Sequence, residues 1–571
     1  MSFCLFSRVC RIAAVGAILL SSASCIYVDE ELGGNLIPTD QKWDVFNPEP
    51  VVLNDIQLKI ADSLSAYSSS RFTFGAISDP EFGTNIKSTS FTLVPLSDTL
   101  DFGSNTKVNK FHFTAVKDTT SSYFGYQKRI IQNVYVSELR AQLDTLALYS
   151  GIFMDPENRA KYLNTEKLIT DGIPVYDGGD SLSFNFSREF AESMVRRIKE
   201  TGLDSLDLYT KSMPGIFITT DQPVSEGGRI NMFKLAPKIE DSYITGNYAQ
   251  LSFTADYGER KNVDSSFLFI FGPGEFVDND SSTLPTQFAF NTSNHDSVEN
   301  DFLKSWEEGN KEHIYIEGGC GLKPVITAKE IKEILNGMLA DAGISDPKEV
   351  VINKATISLP YEMPADYLQM DRYPTILSPT VRLRSSSGGY VTYAGLTDAS
   401  IDSEDQGDIN RSTCRYSPDI SHHVQEILKT DDENKLPNYD IWMLIMHDEV
   451  VEEQATNSNY DDYMNNLLYS SYYNNMMYGG YGGYGGYGYG GYGGYGYGGY
   501  GGYGGYGGYG YNNYYNYMML AAMSNSYSTS ETSERALDKD RYYNAVLNGP
   551  GASGAKPTLK VTFSAPKSAE R

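Results

Sequence analysis

Residues 351–360 read VINKATISLP, and residues 557–563 near the C-terminus read PTLKVTF. Apolar side chains fall on every second position in both. Ala355, Ile357 and Leu359 alternate with Thr356 and Ser358, and Leu559, Val561 and Phe563 alternate with Lys560 and Thr562. Successive side chains of a strand point to opposite faces, so this pattern buries one face and leaves the other in water. The same alternation recurs at Phe111, Phe113 and Ala115, and at Ala249, Leu251, Phe253 and Ala255. Half-buried strands of this kind build antiparallel sandwiches. The chain is therefore expected to be mainly β.

Helical signals are few. Thr327 and Glu330 read as a capping box, Ile331, Ile334, Leu335, Met338 and Leu339 form one apolar stripe, and Gly343 follows as a stop. A second helix is expected after Ser187, with Phe190, Met194, Val195 and Ile198 on one face and Gly202 at its end. A third, shorter one follows Ser421, with Val424, Ile427 and Leu428. The Ser187 helix precedes the apolar strand 215–218, and the Ser421 helix precedes the apolar strand 441–446. This parallel suggests an internal duplication.

A chain of 571 residues is expected to build more than one core. The expected organisation is two tandem antiparallel β-sandwich, jelly-roll-like modules at 51–300 and 312–571. Residues 455–535 interrupt the second as a low-complexity loop. From Tyr478 to Tyr511 this stretch contains only glycine and tyrosine. Glycine loses the most conformational entropy on ordering, and tyrosines so spaced cannot pack a core, so disorder is expected there. The tyrosines could serve as sticky groups for glycans or other chains, but a tolerated repeat expansion in a surface loop explains them more simply.

The N-terminus supplies the address. Arg8 and Arg11 precede an apolar run from Ile12 to Leu20, and Ser21-Ser22-Ala23-Ser24 leads to Cys25. A basic start, a short apolar run and a small-residue cleavage site make a secretory signal over 1–24. A cysteine directly after it is the lipoprotein arrangement, with Cys25 lipidated and attached to the membrane. Residues 25–50 read as a tether. The acidic cluster Asp29-Glu30-Glu31 resembles an export signal to the cell surface. Net charge −27 argues against nucleic acid, whose phosphates need basic patches, and keeps the body off anionic lipid. Of five cysteines, Cys4 and Cys10 leave with the signal. Cys320 and Cys414 remain, either as a disulfide or as two buried apolar thiols.

Several blocks together carry a family likeness. FGAISDPEFGTNIKSTSF (residues 74–91) contains Gly75, Asp79, Pro80, Phe82 and Gly83 in a Gly-x-x-x-Asp-Pro-x-Phe-Gly arrangement. YIEGGCGLKPVI (315–326) is followed by VINKATISLP, and the chain closes on AVLNGPGASGAKPTLKVTF. The combination resembles a Bacteroidetes lipoprotein family catalogued as domain of unknown function 4270. That resemblance implies a lipid-anchored outer-membrane protein and supplies no mechanism. Lys354-Ala355-Thr356-Ile357 and the closing strand also look like those of carbohydrate-binding jelly rolls, a likeness at the level of fold.

No catalytic residue and no cofactor is expected. His422 and His423 with Cys414 could ligate a metal, but adjacent histidines at a helix start point apart, so no metal site is assigned. Cys320 could be a nucleophile with His313 or His447 as its base, yet a glycine turn between strands explains it more simply. The carboxylate pairs Asp79/Glu81 and Asp278/Asp280 are unremarkable in a chain with 73 acidic residues. Trp43, Trp306 and Trp442 give no sugar-stacking platform. Asp-Ser/Thr-apolar triplets at Ser63, Thr99, Thr145, Ser181, Ser205 and Ser297 resemble O-glycosylation acceptors. The expected function is a non-enzymatic binding or envelope-assembly role, with an outer-membrane barrel or another lipoprotein as partner. The alternatives are a glycan-binding accessory lipoprotein of a nutrient-uptake system and a jelly-roll hydrolase.

Overall fold

The computed structural model describes residues 42–567, except 97–99, 119–129, 144–148, 241–242, 274–275, 277–284, 297–299, 385–390, 399–405 and 453–530. The expected signal segment 1–24, Cys25, the Gly-Tyr run and Asp278/Asp280 lie outside the described residues. Within them the protein is mainly β, and the named strands pair antiparallel throughout.

The first sandwich packs an eight-stranded sheet on a five-stranded one. The five-stranded sheet is centred on strand Ser104–Val116, which pairs with Ser181–Asn185 on one side and Tyr248–Tyr257 on the other. Phe111, Phe113 and Ala115 are buried, as their alternation requires, and face Phe72, Phe91 and Phe233 of the larger sheet within one cluster. Aromatic rings fill this core, with Phe113 and Phe184 stacked at 4.6 Å. Large rings bury much area for few ordered torsions.

The second sandwich opposes two six-stranded sheets. One carries Val351–Pro360 against Thr558–Pro566, so the two stretches that first disclosed the fold are neighbours, Ala355 opposite Val561 and Ile357 opposite Leu559. The other carries Ile376–Arg384, Ile441–Glu452 and Leu322–Ile326. Helices Ala328–Asp341 and Ser421–Lys429 contribute their apolar stripes to the same core.

Strand pairing redraws the expected boundaries. Trp43–Phe46, expected in the tether, pairs with Phe563–Pro566 at the end of the chain. Ile56–Ile60, expected in the first module, pairs with Leu322–Ile326 in the second. Residues 43–60 therefore build the second sandwich before the chain crosses to the first. The cause is edge completion: unpaired strand edges are satisfied by whatever chain lies alongside, whatever its place in sequence. Strand Glu531–Leu537 pairs with 446–452, so regular structure resumes inside the range assigned to the low-complexity loop.

The helix caps are those the sequence suggests, with one difference. Ser187 accepts from the Phe190 amide and Thr327 from the Glu330 amide. The Glu330 carboxylate, expected to reach back to its own helix, instead accepts from the amides of Asn54 and Asp55. The helix at Ser421 takes its cap from a distance, Asp398 accepting from the amides of His422 and His423. Helices Pro156–Tyr162, Leu206–Ser212 and Asn300–Glu308 add to those expected.

Candidate functional site

Strands Arg71–Asp79 and Gly227–Lys234 are buried along almost their whole length, on both faces. One face lines the first core. The other is covered by the second sandwich, through a seam where Ile77 and Ile230 meet Tyr542. A group of buried ionisable side chains converges on this seam.

At one end, the turn of hairpin 71–91 docks against the second sandwich. Asp79 Oδ1 accepts from the amides of Glu81 (2.9 Å) and Phe82 (3.2 Å), an Asx turn that sets the hairpin. Its Oδ2 lies 2.5 Å from the Arg372 guanidinium, both groups buried. Phe82 meets Tyr315 edge to face at 5.8 Å. The Asp-Pro-x-Phe-Gly block is thus a docking hairpin. Burial and then Asp79 raise the Glu81 pKa, against the pull of His313 and Arg372.

The centre of the seam is ionisable. Strand Ala289–His295 of the first sandwich supplies Ser293 and His295, and strand Gly83–Phe91 supplies Asn85 and Lys87. Glu317, Cys320 and Lys323 come from the second sandwich, around the Gly318-Gly319-Cys320-Gly321 turn. His295 Nδ1 lies 3.2 Å from Glu317 Oε1 and 3.1 Å from the Asn85 amide. Cys320 Sγ lies 3.2 Å from Ser293 Oγ. Lys323 Nζ donates to the carbonyls of Glu317, Gly319 (2.9 Å) and Gly321 (3.3 Å), closing the turn from inside. The turn needs its glycines: Gly319 has φ +57°, and a Cβ on Gly321 would sit 2.5 Å from Glu317 Cβ. Asp538 and Asp540 complete the cluster, Asp540 accepting from Asn291 at 3.1 Å. His447 faces Asp538 at 4.0 Å.

Burial and charge oppose one another here. Burial pushes the Cys320 thiol up, but His295, Ser293 and Lys87 outweigh it and bring the thiol down to about 7. Burial pushes His295 down, but Glu317 and Cys320 leave it above its usual value. Burial lowers Lys323 to about 8 against Glu317, Cys320 and Asp538, and raises Asp538 to about 6 against Lys87.

A thiol, an imidazole and a carboxylate in a row form a nucleophile's constellation. The sequence points to the right cysteine and to the wrong bases. His313 is exposed beside Tyr315, His447 belongs to Asp538, and the imidazole beside Cys320 is His295. Cys320 is 0% exposed and His295 3%, so the three groups face each other across the seam and not solvent. One signal could have found them: Asn85 and Lys87 alternate along one strand, Ser293 and His295 lie opposite them on its neighbour, and all four polar side chains are buried.

The remaining candidates disperse. Cys320 and Cys414 are both free thiols, not a disulfide, because Cys414 sits in the turn 411–414 with Sγ 3.6 Å from the Arg411 carbonyl. His423 is buried with Nε2 2.8 Å from the Tyr439 carbonyl, and among the described residues no cluster of three or more His, Cys, Asp or Glu is placed to hold a metal. Trp442 is core, with Tyr393 at 5.3 Å and the Lys59 and Arg382 cations over its ring. Trp306 donates to the His313 carbonyl at 2.7 Å. Trp43 is half exposed on its paired strand. Ser181 is exposed on an edge strand, Ser63 accepts from Arg382, and Ser205 caps a helix by accepting from Leu208. Thr99, Thr145 and Ser297 lie outside the described residues.

No family model matches this chain, and no curated protein and no solved structure matches it.

Proposed function

We propose that this protein is a lipid-anchored outer-membrane protein, facing the cell surface, whose two sandwiches act as a rigid body in binding or envelope assembly. The observation that supports a non-enzymatic role is the placement of Cys320, His295 and Glu317. The grouping nearest to a catalytic constellation is spent on joining the two sandwiches, and every member is buried. Membrane attachment rests on Cys25 behind its signal and on the resemblance to the Bacteroidetes lipoprotein family. Residues 26–42 can reach at most about 60 Å, enough to hold the body clear of the headgroups. The body hangs from the edge of the second sandwich, because the strand after the tether pairs with the C-terminal strand.

Metabolic labelling with a radioactive fatty acid, combined with protease treatment of intact cells, tests this reading. Label in the parent and none in Cys25→Ala, with the parent digested on intact cells, is the expected result. Label that persists in Cys25→Ala, or a parent protected until the outer membrane is opened, overturns it.

A further inference from the structure

We propose that the outward face of the sheet that begins at Trp43 rests on the membrane, its occupant an anionic bilayer surface. This deepens the anchoring reading and rests on it.

The sheet runs in the order Trp43–Phe46, Thr558–Pro566, Val351–Pro360, Arg415–Tyr416, Ile409–Asn410. Its inward side belongs to the core of the second sandwich: Phe46 stacks on Phe563 at 5.2 Å, and Ile352 lies opposite Phe563. Alternation therefore turns Trp43, Val45 and Val351 outward. They are 49%, 67% and 48% exposed. Register sets them side by side, with Val45 and Val351 flanking Ser564 and Trp43 opposite Pro566. Single exposed apolar side chains are ordinary on a protein surface, whereas a contiguous group on one face is the mark of a contact surface.

Charge selects the occupant. Among the described residues, the strands of this sheet hold one carboxylate, Asp44, which falls on the inward side opposite Ala565. Outward positions carry Lys354, Lys560 and Arg415, all exposed. Lys354 lies 3.7 Å from Asp419 at the border of the face. A cationic face on a chain of net charge −27 makes the body electrically lopsided. An anionic surface repels the rest of the body and draws this face in, so the charge sets an orientation. Two copies meeting through the same face would instead set like charges against each other.

Place agrees with charge. Residues 26–42 separate Cys25 from Trp43, and the chain enters the body on the edge strand of this face. The part of the body nearest the attachment point is therefore the part that carries the apolar group. Tryptophan is favoured at the membrane–water boundary, and binding there grows with buried apolar area and with attraction to anionic headgroups.

The test places the full chain, lipidated at Cys25, in vesicles of phosphatidylcholine and phosphatidylglycerol whose acyl chains carry bromine, a contact quencher of tryptophan emission. Flotation of the vesicles reads the anchor, and quenching reads contact of the face. The expected result is flotation with quenching that disappears in Trp43→Phe, which retains Trp306 and Trp442. Lys560→Gln with Arg415→Gln should float equally but lose contact, the ratio of contacting to free bodies falling about fivefold for each cation removed. Vesicles of phosphatidylcholine alone should show a similar loss. Flotation without quenching overturns the proposal and leaves the anchor standing, and a parent that does not float overturns both. Absent quenching together with a dimer that Val45→Asp dissociates would assign the face to a second copy and overturn the proposal equally.

Discussion

Arg372, on the short helix Tyr367–Arg372 of the second sandwich, holds the Asp79 carboxylate at 2.5 Å across the seam, 293 residues away in sequence. Asp79 uses its other oxygen to shape the hairpin turn, so one side chain both forms the hairpin and docks it. Breaking a buried pair from one side leaves an uncompensated charge and costs about 3–5 kcal/mol. Asp79→Asn keeps the turn and removes the charge, and should lose stability in that range by urea denaturation. Replacing Arg372 by leucine in the same chain should restore most of the loss. Equal losses in single and double variants would show that the bridge holds nothing.

Close strand approach makes a second, steeper prediction. Gly75 has φ +145°, and a Cβ there would lie 2.1 Å from the Arg229 carbonyl oxygen on the paired strand. Gly228 makes the reciprocal contact with the Ala76 oxygen at 2.1 Å. Gly75→Ala should cost about 3 kcal/mol or more, because backbone and not a flexible tip must move. Gly172 is the control, with φ +72° and open space around it, so Gly172→Ala should cost only about 1–2 kcal/mol. Comparable losses by thermal denaturation would refute the distinction.

Acid stability should turn on His423. Burial pushes its pKa down to about 4, and its Nε2 donates to the Tyr439 carbonyl as a neutral ring. Its folded pKa is below the unfolded value of 6.5, so the unfolded chain takes up the proton first. The contribution is complete above pH 6.5 and is lost as pH falls toward 4, about 3 kcal/mol in all. His423→Gln should be less stable at neutral pH and show a flatter decline over that window. An unchanged slope would mean that His423 does not titrate with unfolding.

The first turn of helix Ala328–Asp341 ties the N-terminal segment to the second sandwich. Thr327 Oγ accepts from Glu330 and donates to Asp55, and Glu330 accepts from two backbone amides of the 54–55 segment. Thr327→Ala should cost about 1 kcal/mol, the usual worth of a cap. Glu330→Ala strands two partly buried amides and should cost about 2 kcal/mol or more. Equal effects by denaturation would mean that the two amide bonds to Glu330 add no more than the Thr327 hydroxyl does.

Sequence range decides which features are legible. The Thr327 and Ser187 helices are readable because cap, stripe and stop lie within some 15 residues of one another. The strands at 351–360 and 558–563 are readable because alternation is local. The placement of residues 43–60 is not, since their partners at 322–326 and 563–566 lie hundreds of residues away and edge pairing leaves no mark on side-chain type. Residue type leads to Cys320, but it leads to His313 and His447 in place of His295. The role of His295 depends on two sandwiches closing on each other, which no local pattern encodes. Strand 71–79 is buried almost throughout, yet Phe72, Phe74 and Ala76 alternate with Arg71, Thr73 and Gly75 as in a one-sided strand, so the seam is not legible there either.

On the proposed reading, a body anchored in the outer membrane that works by holding a partner should bring that partner with it. Affinity capture of the lipidated protein from native outer membranes, with mass spectrometry of the co-purifying proteins, tests this most directly. The expected result is stoichiometric recovery of an outer-membrane barrel or another lipoprotein, lost when Cys25→Ala releases the body from the membrane. Recovery of the protein alone would contradict it.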